Sequence, residues 1–106
     1  MAPHRLILTG PLARAARALV GTSAEVTASA AGLTRSQLRD FEKGRGVLQA
    51  GQLDALRAAL ESLGAFFIPD GKDRRGAGVR LKFSESKARS VESWEDEGGL
   101  AAEDDV

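Results

Sequence analysis

Arg35, Ser36, Arg39 and Asp40 lie at offsets of one, four and five residues, the repeat of a single helix face, and Lys43 continues it. Such side chains can recognise the edges of bases. A guanidinium can bond both O6 and N7 of guanine, and a serine hydroxyl can serve several bases. Taken alone, Arg35, Arg39, Lys43 and Arg45 make an ordinary solvated surface. The elements that would hold them therefore decide what they mean.

The stretch Thr22 to Gly44, TSAEVTASAAGLTRSQLRDFEKG, reads as two short helices joined by the turn Ala31-Gly32-Leu33. Thr22 with Glu25, and Thr34 with Gln37, each fit a reciprocal capping box at a helix start. These boxes set helices over about Ser23 to Ala31 and about Arg35 to Lys43. Leu33, Leu38 and Phe41 supply the buried side of the second of them, and the small residues Ala28 and Ala31 let its neighbour come close. An earlier helix runs from about Pro11 to Val20, with Pro11 at the position where its missing N–H costs nothing. Leu12, Ala15, Ala16 and Leu19 form its apolar stripe, and Arg14 and Arg17 lie off it. A later helix runs from about Gln52 to Leu63, its row of Leu53, Leu56, Leu60 and Leu63 facing a core. That row is too short for a coiled-coil seam. Gly21, Gly32, Gly44 and Gly64 follow the four segments, where glycine ends helices in the left-handed conformation.

After Gly64 the periodicity changes. Ala65-Phe66-Phe67-Ile68 is a short strand candidate, and Pro69-Asp70-Gly71 is a turn signal. Val79 to Phe83 alternates apolar and basic residues, as a half-buried strand does. The two pair as a hairpin across a long loop, to which Leu6-Ile7-Leu8 adds a third strand. The fold class is mainly α: a small helix-turn-helix domain of four to five helices, then a short hairpin and a disordered acidic tail. The expected divisions are residues 1–64, 65–83 and 84–106.

The formal net charge of zero is divided unevenly. Residues 1–83 carry 13 Lys/Arg against 7 Asp/Glu, and residues 84–106 carry 2 against 8. A basic body and an acidic tail are compatible with a nucleic-acid partner, because binding depends on where the charge sits. With no cysteine and one histidine, His4, the chain lacks disulfides, thiolate metal sites and histidine clusters. No carboxylate pair, phosphate-binding glycine loop or metal-ligand spacing is present, so neither an enzyme nor a cofactor is expected. No apolar run approaches a membrane span, so no membrane partner is expected and a cytoplasmic location is the default.

Ala31-Gly32-Leu33-Thr34, then Leu38, then Phe41-Glu42-Lys43-Gly44 resembles the phage-repressor and Cro-like helix-turn-helix family, the XRE family. The similarity covers roughly residues 10–64. Phe67-Ile68 and Gly78-Val79-Arg80-Leu81 also look like the C-terminal extension of many small regulators of this kind. The resemblance implies base reading by Arg35 and Ser36, with Arg39 and Asp40 one turn later. It implies phosphate contacts from Ser23, Thr34, Gln37, Lys43 and Arg45. The chain departs from the family pattern at Ala24, where a phosphate-contacting glutamine is usual, and at Thr27, where leucine is usual. The first removes a DNA contact and the second weakens the packing of that helix.

The expectation that follows is a sequence-specific regulator of transcription, a dimeric repressor reading a palindromic operator in double-stranded DNA. Phe66 or Phe67, Val79, Leu81 and Phe83 would carry the homodimer. The basic loop Lys72-Asp73-Arg74-Arg75 would lie near DNA backbone or be solvated. The alternative is a protein-interaction module, such as an antitoxin or anti-activator. In that case a partner would dock on the helical domain or on Trp94 with its neighbours Glu92, Glu95, Asp96 and Glu97.

Overall fold

The computed structural model describes residues 6–71 and 75–83. These form four helices, α1 (Gly10–Val20), α2 (Ala24–Ala31), α3 (Arg35–Glu42) and α4 (Ala50–Ser62). Two strands follow, β1 (Ala65–Ile68) and β2 (Gly78–Leu81). His4, the Lys72–Arg74 part of the basic loop and the acidic tail lie outside the described residues.

Each helix starts where a side chain satisfies its orphan N–H groups. Thr9 Oγ1 accepts from Leu12 N–H at 3.2 Å and begins α1, one residue before the expected Pro11. Ser23 Oγ accepts from Val26 N–H at 3.0 Å and begins α2. The expected Thr22–Glu25 box does not form. Thr22 N–H instead bonds Arg17 C=O at 3.1 Å to close the end of α1, so Glu25 has nothing to receive there. The Thr34–Gln37 box does form, with bonds of 3.0 and 2.8 Å. For α4 the expected start was two residues late, because Gln52 Oε1 accepts from Gln49 N–H at 2.8 Å and is an internal first-turn residue.

The core is built largely from small residues. Ala13, Ala16, Ala24, Ala28, Ala31 and Ala59 are buried beside Leu33, Leu38, Leu56 and Leu60. Of the expected α1 stripe, Ala16 is buried and Leu12 packs against the core, but Ala15 and Leu19 are exposed and Ala13 is buried in their place. The cause is close approach. A Cβ on Gly10 would stand 2.3 Å from Phe41 C=O, so α1 meets the end of α3 along a face of Gly10, Ala13 and Ala16. Leu63, counted in the leucine row, lies beyond the end of α4 and is exposed. Thr27 is fully buried, and its hydroxyl donates to Ser23 C=O at 2.8 Å. That bond satisfies the polar atom that threonine brings where leucine was expected.

β1 and β2 are antiparallel, with Ala65 opposite Leu81 and Phe67 opposite Val79. Ala65 and Phe67 turn inward, Phe66 and Ile68 outward. The sheet rests on α1 and α4. Leu6-Ile7-Leu8 does not add the expected third strand. Leu8 instead buries its side chain in the helical core, and the sheet remains two-stranded. The second strand stops at Leu81, two residues before the expected Phe83. Among the described residues, no helix is long and apolar enough to cross a membrane.

Gly10→Ala separates packing from propensity. Alanine favours a helix interior over glycine, but here its methyl would enter the backbone of α3. Thermal denaturation is expected to show a loss of about 1–3 kcal/mol, the scale of an overpacked core. A gain in stability would mean that the α1–α3 approach is looser than described.

Candidate nucleic-acid interface

The outward face of α3 carries Arg35, Ser36, Asp40 and, at its end, Lys43, all exposed. The opposite face carries Leu38, fully buried, and Phe41, partly buried against the core. The α2–α3 turn is short because Gly32 takes φ 72°, closing α2 through N–H bonds to Ala28 and Ser29 C=O. Leu33 then enters the core and Thr34 starts α3. A two-turn helix is marginal by itself, so its cap and its buried side must hold it.

What fixes α3 against the other helices is an ion pair. Glu42, on the inner side of its last turn, has a side chain only 2% exposed. Arg17 of α1 reaches it with a fork of two bonds, Nε to Oε2 at 2.8 Å and Nη2 to Oε1 at 2.9 Å. A third bond, Nη1 to Thr22 C=O at 3.3 Å, ties the same guanidinium to the segment leading into α2. One side chain therefore joins α1, the approach to α2 and the end of α3. The bond to Glu42 and the charge on it hold the guanidinium above the ordinary arginine range, against the opposing effect of burial. A raised value means that, as pH rises, the contribution of Arg17 is lost only above that range. Sequence reasoning missed this pair. By its spacing Arg17 lies only off the apolar stripe, and no periodicity links residues 25 apart in the chain.

The remaining expected site residues fall into three groups. Arg35, Ser36, Asp40, Lys43 and Arg45 are exposed and form no ion pair among the described residues. Arg39 is half-withdrawn, its Nε 4.0 Å from Glu42 Oε1, so it lies at the edge of the face, beside the buried pair. Ser23, Thr34 and Gln37 hold caps. Their accepting oxygens are occupied, while the hydroxyls and the Gln37 amide keep N–H or O–H donors to offer outward. The face is thus rich in donors and cations, as a phosphate- and base-edge-reading surface requires.

The hairpin is separate from this face. Phe66 and Phe83 are nearly half exposed, and Val79 and Leu81 are partly buried. Phe67 is a core residue and cannot meet a second copy, because the alternation of β1 turns it inward. Of Phe66 and Phe67, only Phe66 is at the surface. Among the described residues no group of His, Asp and Glu side chains is arranged to hold a metal ion.

The fold and this face define a small helical domain with a helix-turn-helix and an appended hairpin. Compared with known proteins, the chain matches no family model and no curated protein.

Removing one partner of a buried ion pair leaves the other uncompensated. Glu42→Ala is expected to cost about 3–5 kcal/mol in chemical denaturation. The double variant Arg17→Met/Glu42→Leu should recover most of that loss. Equal losses in both variants would mean that apolar volume cannot replace the pair and that the forked bond itself is net stabilising.

Proposed function

We propose that the protein is a sequence-specific DNA-binding regulator of transcription whose α3 enters the major groove. The observation that carries this reading is the outward face of α3: Arg35, Ser36, Asp40 and Lys43 exposed on a short helix that is capped, and is anchored from behind by Glu42. The similarity of Ala31-Gly32-Leu33-Thr34 and Phe41-Glu42-Lys43-Gly44 to the XRE family supports it. Arg35 and Ser36 read base edges, with Asp40 and the more withdrawn Arg39 one turn on. Ser23, Thr34, Gln37, Lys43 and Arg45 position the domain on phosphate. Two copies acting as a repressor would meet half-sites about 34 Å apart, one turn of the duplex.

A second reading, a protein-interaction module of the antitoxin or anti-activator kind, draws on the exposed apolar side chains of the hairpin. Selection of bound fragments from random DNA separates the two. A recurrent motif with two-fold spacing supports the regulator, and no enrichment supports the interaction module.

Arg35→Ala should weaken the selected site by about 1–3 kcal/mol while leaving random DNA nearly unchanged. Arg45→Ala should weaken both similarly and lower the salt slope by about one. Fluorescence anisotropy across a salt series measures both. Equal losses on selected and random DNA for Arg35→Ala would remove it from base reading.

A further inference from the structure

Among the described residues, the exposed phenylalanines do not lie on α3. Both lie where the outer half of α1 meets the hairpin. Leu19 is 45% exposed, Phe66 46% and Phe83 47%, and with Val79 and Leu81 they line one shallow cleft. Its cations are Arg80 and Lys82. Arg80 lies over the Phe66 ring, its guanidinium carbon 5.3 Å from the centroid, and pairs with no carboxylate among the described residues. Lys82 Nζ donates to Glu61 C=O at 2.9 Å, a neutral partner that leaves its charge uncompensated.

Such a cleft takes an apolar side chain with acidic neighbours. A second copy meets it poorly. Lys82 N–H bonds Gly64 C=O at 2.7 Å, which makes Phe66–Arg80 and Ile68–Gly78 the hydrogen-bonded pairs of the hairpin. Val79 and Leu81 then turn their N–H and C=O groups toward the free edge of β2. Two copies paired along that edge about Arg80 or about Leu81 would set Arg80 against Arg80, or Arg80 against Lys82, and like charges placed opposite one another are destabilising.

The chain carries the complementary segment itself. Residues 84–106, outside the described residues, hold 8 Asp/Glu against 2 Lys/Arg and the single tryptophan of the sequence. That residue, Trp94, stands among Glu92, Glu95, Asp96 and Glu97. It follows Phe83, at the rim of the cleft, by eleven residues. An extended chain of that length reaches about 36 Å, so distance imposes no barrier. The outward face of α3 offers charge but no large apolar side chain, and satisfies only half of what the segment presents.

We propose that the tail docks on its own domain at this cleft: Trp94 enters between Leu19 and the hairpin, against the Arg80 guanidinium, and its acidic neighbours meet Arg80 and Lys82. An indole is the best ring partner for such a cation. The hairpin face that the sequence marks for dimerisation is then occupied in cis. This inference does not rest on the DNA-binding reading.

The chain has one tryptophan and no tyrosine, so its intrinsic fluorescence reports Trp94 directly. In the full chain, emission is expected to the blue of N-acetyltryptophanamide, with weaker acrylamide quenching and no dependence on protein concentration. Leu19→Lys and Phe66→Lys, both at exposed positions on different elements, should each shift emission to the red and restore quenching, with far-UV circular dichroism unchanged. Arg80→Glu should do the same, and Arg35→Glu on α3 should not. Emission matching the free indole in the full chain would overturn the proposal. So would a blue shift lost only in Arg35→Glu, which would seat the tail on α3. A blue shift present only at concentrations where light scattering finds two copies would assign the cleft to a second chain.

Discussion

The position of α3 depends on one buried carboxylate. Glu42 sits almost without solvent at the end of a helix of eight residues, too short to be stable alone. An isolated charge there would be costly. The guanidinium of Arg17 offsets that cost by a two-pronged bond, and its Nη1 donates to the carbonyl of Thr22. The pair therefore fixes orientation as much as it stabilises. A forked bond between planar groups tolerates little rotation, so α3 is set in angle as well as in place relative to α1.

The same junction explains the small residues of the interior. Forking a guanidinium across to Glu42 brings α1 and α3 close enough that only glycine fits at residue 10. Ala13 and Ala16 of the same helix are buried in one core with Leu33, Leu38, Leu56 and Leu60. With α1 turned so that Ala13 and Ala16 face inward, Leu19 is left on the surface, where the hairpin adds Phe66 and Phe83 beside it. A constraint at one end of α1 thus determines what its other face presents.

The elements were legible in the sequence where local chemistry dominates. The Thr34–Gln37 cap, the Gly32 turn and β1 follow from spacing and turn residues, and the structure has them as read. The misreadings come from effects between distant segments or from competing local bonds. Thr22 looked like a cap because its spacing to Glu25 was right, but its N–H was already needed to end α1. The α1 stripe was right at Leu12 and Ala16 but wrong at Ala15 and Leu19, because the close approach at Gly10 turns Ala13 inward instead. Phe66 and Phe67 were indistinguishable until the strand settled which of them faces inward. The outward residues of α3 were readable as a set, since Leu38 and Phe41 define the other side. The partial withdrawal of Arg39 was not, because it depends on a carboxylate held in place from α1.

The cap of α3 also fixes the chemical sense of one side chain. A glutamine amide ordinarily offers an oxygen and an NH2 group, and can face a donor or an acceptor by turning over. In Gln37 the oxygen is held by Thr34 N–H at 2.8 Å. With the oxygen turned to the cap, its NH2 group points away from Thr34 N–H and stays free to donate to anything approaching the first turn. The orientation of that amide is thus set by the backbone N–H of Thr34, and it cannot turn over to suit a partner without first uncapping the helix.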